Sequence, residues 1–214
     1  MKLEILVPDS LSEITLGQYQ KFLRVEQNNE QFVAQKMLEI FCGVKLTEAM
    51  SMRIKDVRSI ISHLDELLNQ QPQLVKKFSL KGQEYGFIPN LEDMSFGEYI
   101  DLDTFLGDWS NMHKAMSVLY RPIKDKYGER YNIIDYDVVD AEQLRDMPLD
   151  AVISSLLFFY RLGIDLSRLM TDFLEQEEES RIVQYLNSDK SGVGINQYIN
   201  SLKETLDDLN ILLN

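Results

Sequence analysis

The chain of 214 residues carries 22 Lys and Arg against 35 Asp and Glu, a formal net charge of −13, with 44% hydrophobic residues, 27% charged residues and a single cysteine. That length and apolar content are enough for one larger domain or two small ones around a substantial core. The acidic balance argues against sequence-independent nucleic-acid binding, which Lys and Arg build by neutralising phosphates, and against an anionic membrane surface, while the lone Cys42 leaves no intramolecular disulfide framework or cysteine-cluster zinc site and fits a reducing compartment.

Leu3, Ile5 and Val7 alternate with Lys2, Glu4 and Leu6, which predicts a short half-buried strand. Pro8 ends it, because the ring fixes φ and withholds an N–H. Met1 to Val7 is too short and too acidic to read as a signal peptide. Thr15 and Gln18 have the spacing of a capping box, and the helix they open runs from Leu16 to about Glu26 with Leu16, Tyr19, Phe22 and Leu23 on one face. Asn28 and Asn29 break it. A second helix carries Phe32, Val33, Met37, Ile40 and Phe41 at helical spacing and stops at Gly43, a left-handed cap; Cys42 in this apolar run reads as an inert buried thiol. Thr47 is expected to cap a short helical turn, and Asp56 a third helix with the stripe Val57, Ile60, Ile61, Leu64, Leu67 and Leu68, before Pro72.

Lys77 to Ile88 alternates around Gly82 and predicts a β-hairpin whose return strand matches the first strand and is a candidate to pair with it. Ser95 and Glu98 form a second capping box, opening a helix through Tyr99, Leu102 and Phe105. Asp108 is placed as the cap of the next helix, with Trp109, Met112, Met116, Leu119 and Tyr120 on one face until Pro122. Lys124 to Asp140 reads as an ordered, tyrosine-rich loop. Asp146 and Pro148 start the most apolar helix, which is expected to end at Gly163; its run from Ala151 to Tyr160 is half the roughly 20 residues a bilayer span needs, so it reads as a core helix. Asp165 to about Asn187 is helical by pattern, and Ser188 to Gly194 reads as a flexible joint. The last stripe, Ile195, Tyr198, Ile199, Leu202, Leu206, Leu209, Leu212 and Leu213, is amphipathic and either packs back on the body or docks on a partner.

The two boxes belong to longer similar strings. Pro8, Thr15, Gly17, Gln18 and Tyr19 correspond to Pro89, Ser95, Gly97, Glu98 and Tyr99, with one residue gapped. Downstream, Lys36 to Phe41 falls where Lys114 to Leu119 falls, and Ile60 to Leu64 meets Val152 to Leu156. Glycine at the second helical position has no propensity advantage, so a close backbone approach is the expected reason for it. The fold expected is therefore mainly α with short β-strands and a hairpin. Two related strand, Pro-turn and helical subdomains from an internal duplication, residues 1–75 and 76–163, are followed by a C-terminal helical extension, residues 164–214.

Little in the sequence points to chemistry. No phosphate-loop, dinucleotide, nucleophile-elbow or metalloprotease string occurs, and His63 and His113 fall in separate predicted helices. Asp101 and Asp103 point about 200° apart on a helix, and these, Asp108 and the group Asp135, Asp137 and Asp140 read as solvated acidic faces. Tyr120, Tyr127, Tyr131 and Tyr136 are candidates to line a partner site, with half-buried packing as the alternative. No catalytic residue, metal site or cofactor is assigned.

Tyr85 to Leu91, Met94 to Leu102, Met116 to Pro122, and the later Pro148 with Leu156 to Tyr160 together resemble a pattern in small tailed-phage morphogenesis proteins of the tail-assembly-chaperone-like or baseplate-hub-assembly-like kind. The resemblance covers roughly residues 80 to 163 and leaves the extension from Ile164 uncovered. It implies a non-enzymatic role in the host cytoplasm, with other phage structural or tail proteins as partners; from the acidic balance, no direct contact with nucleic acid or membrane is expected. The alternative it carries is a permanent subunit of the virion: a head-tail connector, ring or tail component.

Overall fold

A computed structural model describes residues 5–26, 28–128 and 130–176. The chain falls into two compact units, Met1–Ser154 and Ser155–Asn214. In the first, the helices α1 (Leu16–Leu23), α2 (Glu30–Cys42), α3 (Leu46–Ala49) and α4 (Ile54–Leu68) precede a hairpin of β1 (Lys77–Leu80) and β2 (Gln83–Phe87). Then come α5 (Phe96–Phe105), α6 (Met112–Leu119), β3 (Tyr120–Tyr127) and β4 (Arg130–Ile133), and after a 3-10 segment, Val138–Asp146, the helix α7 (Leu149–Gln176) begins. Two shorter 3-10 turns, Leu11–Glu13 and Leu91–Asp93, sit just ahead of α1 and α5. The architecture is mixed: a substantial set of helices with one antiparallel sheet in the order β1-β2-β3-β4.

The hairpin forms where the alternation places it. Lys81 and Gly82 both take positive φ, 51° and 83°, the pair of left-handed residues that a two-residue turn needs to follow the strand twist. Leu80 then faces Gln83, and Phe78 stacks on Tyr85 with ring centroids 5.4 Å apart. β2 takes β3 as its other neighbour, through Tyr85 opposite Pro122, Gly86 opposite Arg121 and Phe87 opposite Tyr120. The predicted pairing of β2 with an N-terminal strand is corrected accordingly. Residues 5–7 form no strand; Pro8 is buried, and its carbonyl accepts from His63 Nε2 on α4 at 2.9 Å, which ties the entering chain to a helix instead of to the sheet.

Five local expectations change for identifiable reasons. Asp108 folds into a side-chain turn, accepting from the Ser110 N–H at 2.8 Å and Asn111 Nδ2 at 2.6 Å, so α6 begins at Met112 and leaves Trp109 outside it. Arg53 holds the N-cap position of α4 without a side-chain cap hydrogen bond, and Asp56 lies in the first turn, paired with Arg53 at 2.8 Å; Thr47 likewise sits inside α3. The polar segment expected as a loop forms the end of β3, all of β4 and the start of the 3-10 segment, with 134–137 irregular between them, because β3 offers β4 a free edge. Finally α7 runs through Gly163, where a glycine lowers helix propensity but keeps its N–H and so does not break the hydrogen-bond ladder.

Ile14, Leu16, Leu64, Met112, Met116, Leu119, Met147 and Leu149 are fully buried in the first unit. α1 packs on α2 and on the 3-10 segment Val138–Asp146, α2 on α3 and α4, and α5 on α6. Beneath the sheet, Phe78 and Phe87 each lie 5.3 Å from Tyr120. In the second unit the described chain is helical to Gln176, with Phe158 and Phe159 edge to face at 5.3 Å and Arg168 beside Asp165 one turn apart. Among the described residues no helix is long and apolar enough to cross a membrane.

Candidate partner-docking surface

Both capping boxes form. At α1 the Thr15 hydroxyl accepts from the Gln18 N–H at 3.1 Å, and the Thr15 N–H donates to Gln18 Oε1 at 2.8 Å. At α5 the Ser95 hydroxyl accepts from the Glu98 N–H at 3.3 Å, and the Ser95 N–H donates to Glu98 Oε2 at 2.6 Å. Two orphan donors are satisfied in each case. Each third-position side chain also reaches a distant element. Gln18 Nε2 donates to the Ile40 carbonyl at 2.9 Å, and Glu98 Oε1 meets Arg121 Nη1 of β3 at 2.7 Å with both side chains nearly buried. Burial alone raises the Glu98 carboxyl, but the hydrogen bonds from the Ser95 backbone and hydroxyl and the Arg121 charge outweigh it and hold Glu98 below the usual glutamate range.

What lies against the two boxes differs. The extended stretch Met147-Pro148-Leu149 runs antiparallel along Ile14-Thr15-Leu16: the Leu16 N–H donates to the Met147 carbonyl at 3.0 Å, the Leu149 N–H to the Ile14 carbonyl at 2.8 Å, and Thr15 faces Pro148 between them. Gly17 permits this approach, since a Cβ there would stand 3.0 Å from the Arg145 carbonyl oxygen. Leu11, Ile14, Leu16, Tyr19 and Gln20 are all buried as a result, with Tyr19 edge-on to Trp109 at 5.0 Å.

At the second box the corresponding positions are open. Phe96, Tyr99 and Ile100 are 77%, 38% and 46% exposed, and they form one stripe on α5 at i, i+3 and i+4. Leu91 and Met94 are half-buried. A Cβ on Gly97 would meet nothing within 4 Å, so the close approach expected at both glycines exists at Gly17 and not at Gly97. The Met94 carbonyl and the Phe96 N–H, counterparts of the Ile14 and Leu16 groups, make no hydrogen bond to the described residues. Glu92, Asp93 and Asp103 stand exposed around this stripe.

The tyrosines proposed for a partner separate into three classes. Tyr120 is corrected to a core residue: it is buried, its hydroxyl donates to the carbonyls of Val75 at 2.8 Å and Ala151 at 3.1 Å, and burial pushes its ionisation well up. Tyr131 is half-buried over Gly86, where a Cβ would overlap its ring, and its hydroxyl donates to the Phe87 carbonyl at 2.7 Å. Tyr127 is exposed near the end of β3. Tyr136 donates to Asp101 at 2.9 Å. Ile195, Tyr198, Ile199, Leu202, Leu206 and Leu209 lie outside the described residues. Pro89 is exposed, and the half-buried Cys42 thiol is pushed up to about 11 by burial, which removes its nucleophilic form at neutral pH.

One polar cluster had no signal in the sequence beyond its separate residue types. His113 of α6 is buried against Gln20 of α1 and against Glu142 and Arg145 of the 3-10 segment. Gln20 Nε2 donates to the Trp109 carbonyl at 2.6 Å and stands 3.5 Å from His113 Nδ1, while Arg145 Nη1 donates to Gln20 Oε1 at 2.6 Å. The Glu142 carboxylate at 3.0 Å and the Arg145 guanidinium at 3.1 Å both face Nε2, so each ring nitrogen has a polar neighbour. Burial first, then the Arg145 charge, lowers the His113 pKa and keeps the ring neutral; the Arg145 hydrogen bond lowers that of Glu142. The cluster clamps three elements and presents no open ring nitrogen. Among the described residues no group of three or more His, Cys, Asp or Glu is placed to hold a metal ion.

Compared with protein-family models, with curated proteins and with solved structures, the chain finds no match.

Proposed function

We propose that this chain is a non-enzymatic morphogenesis protein of a tailed phage, acting in tail or baseplate assembly in the host cytoplasm through contacts with phage structural proteins. The observation that supports the reading is the stripe Phe96, Tyr99 and Ile100. Three large apolar side chains are left in water on one helix face, inside the stretch from Met94 to Leu102 that carries the family resemblance. Contiguous exposed apolar surface on a folded protein marks a contact site, and burying such side chains contributes roughly 1.5–3 kcal/mol each. We also infer that the two halves descend from a duplication. The turn, box, helix order Leu11–Glu13, Thr15, α1 recurs as Leu91–Asp93, Ser95, α5, and the boxes keep the same glycine and tyrosine positions.

The test is an infection in which the gene for this chain is silenced, followed by electron microscopy of the particles and mass spectrometry of purified wild-type virions. Loss of tails or baseplates, with the protein absent from wild-type virions, is the expected result. Normal particles in the silenced infection would overturn the reading. Presence at a regular copy number in virions would replace the assembly role by a permanent structural one.

A further inference from the structure

We propose that the second capping box is a docking edge for an extended segment of a partner protein, of the form Lys or Arg, any residue, apolar, Pro, apolar, taken up antiparallel along Met94-Ser95-Phe96. The first box shows what such an edge holds. There the segment Arg145-Asp146-Met147-Pro148-Leu149 lies along Ile14-Thr15-Leu16 with two backbone hydrogen bonds, and Pro148 falls between them, at the position where a missing N–H costs nothing. Proline also limits the conformational freedom lost on docking.

The backbone edge, the apolar side chains and the glycine of that receptor recur at the second box without an occupant among the described residues. The Phe96 N–H and Met94 carbonyl are unpaired there, the apolar side chains are exposed, and the space above Gly97 that Arg145 fills above Gly17 is open. The glycine is the independent sign. Glycine in a helix is unfavourable by about 1 kcal/mol against alanine. At Gly17 the approach of another backbone explains it; at Gly97 nothing within the described chain does. The charge of the occupant follows from the rim. Ile100 replaces Gln20, which receives Arg145 at the first box, and the exposed carboxylates Glu92, Asp93 and Asp103 surround the stripe on a chain of net charge −13, so a basic side chain ahead of the proline is complementary.

This rests on the assembly reading only in taking the occupant to be another protein. The probe is a fluorescent synthetic peptide reproducing residues 143–150 of this chain, titrated against the full-length protein by anisotropy. Saturable binding is expected, weakened about tenfold or more, at least 1.4 kcal/mol, by Gly97→Ala or Phe96→Asp. Gly97→Ala is expected at the same time to raise the melting temperature, which separates a blocked edge from a damaged fold. No saturable binding, or binding unchanged in Gly97→Ala, overturns the proposal. A photo-crosslinking residue at position 100 of the full chain identifies competing occupants: crosslinks to residues 177–214 or to a second copy would mean that the edge is already covered, and would overturn a foreign partner. Peptide binding can fail while phage proteins still copurify with the chain, in which case the docking edge falls and the assembly role stands.

Discussion

Glu98 and Arg121 meet at 2.7 Å with both side chains nearly buried, so the residue that closes the α5 capping box also neutralises a charge on the inner strand β3. Breaking a buried pair from one side leaves the other charge without compensation, a loss of about 3–5 kcal/mol. Glu98→Ala is expected to fall in that range by urea denaturation. A loss near 1 kcal/mol would mean that Arg121 finds water and that the pair contributes only its cap.

The caps themselves are expected to be worth less. Ser95→Ala and Thr15→Ala should each lower stability by about 1 kcal/mol, the usual scale for a lost N-cap hydroxyl. Gln18→Ala should cost more than Thr15→Ala, because Gln18 also donates to the Ile40 carbonyl and holds α1 against the end of α2. Equal losses would show that this second hydrogen bond contributes nothing.

The two glycines should respond with opposite sign. Gly97→Ala is expected to stabilise the fold by up to about 1 kcal/mol, since its Cβ enters open space on a helix, whereas Gly17→Ala forces the Arg145 carbonyl back and destabilises it. Thermal melts of the two variants check this directly. Stabilisation by both would show that the Met147-Pro148-Leu149 segment yields without cost.

His113 predicts a pH dependence. Its folded-state pKa is lowered, so between that value and the unfolded value of about 6.5 the unfolded chain binds the extra proton. Stability from this residue is therefore full above about pH 6.5 and falls as the pH drops towards the folded-state pKa. The groups around the ring are Gln20, Glu142, Arg145 and Lys114, and none of the carboxylates is expected to titrate in that window. Urea midpoints measured from pH 8 to 5 should decline, and His113→Gln should flatten the slope there.

The tyrosines give a contrast within one residue type. Tyr120→Phe removes the donor that serves the half-buried Val75 and the buried Ala151 carbonyls and should cost about 1–3 kcal/mol, whereas Tyr127→Ala, at an exposed position, should stay within about 0.5 kcal/mol of wild type. A reversed order would place Tyr120 outside the core.

Features closed by neighbours in sequence were legible in the residues. A capping box needs only the hydroxyl and the side chain three positions on, and both boxes form as the spacing predicts; the hairpin needs alternation and a residue free to take positive φ, and Gly82 supplies it. Features closed by distant partners were not. The stretch before Pro8 reads as a strand, and His63, 55 residues on, ties it to α4; Tyr120 reads as facing a partner, and the Val75 and Ala151 carbonyls, 45 and 31 residues away, hold it in the core. The candidate site shows the division most plainly. The sequence determined two similar capping boxes, with glycine and tyrosine at the same positions and a hydroxyl residue, Thr15 or Ser95, at the cap. Tertiary structure decided that one is filled and one is open, because a segment centred on Pro148 comes back to Ile14 and Leu16, with Arg145 meeting Gln20 across 125 residues, and nothing in either short string records which of them that segment will reach.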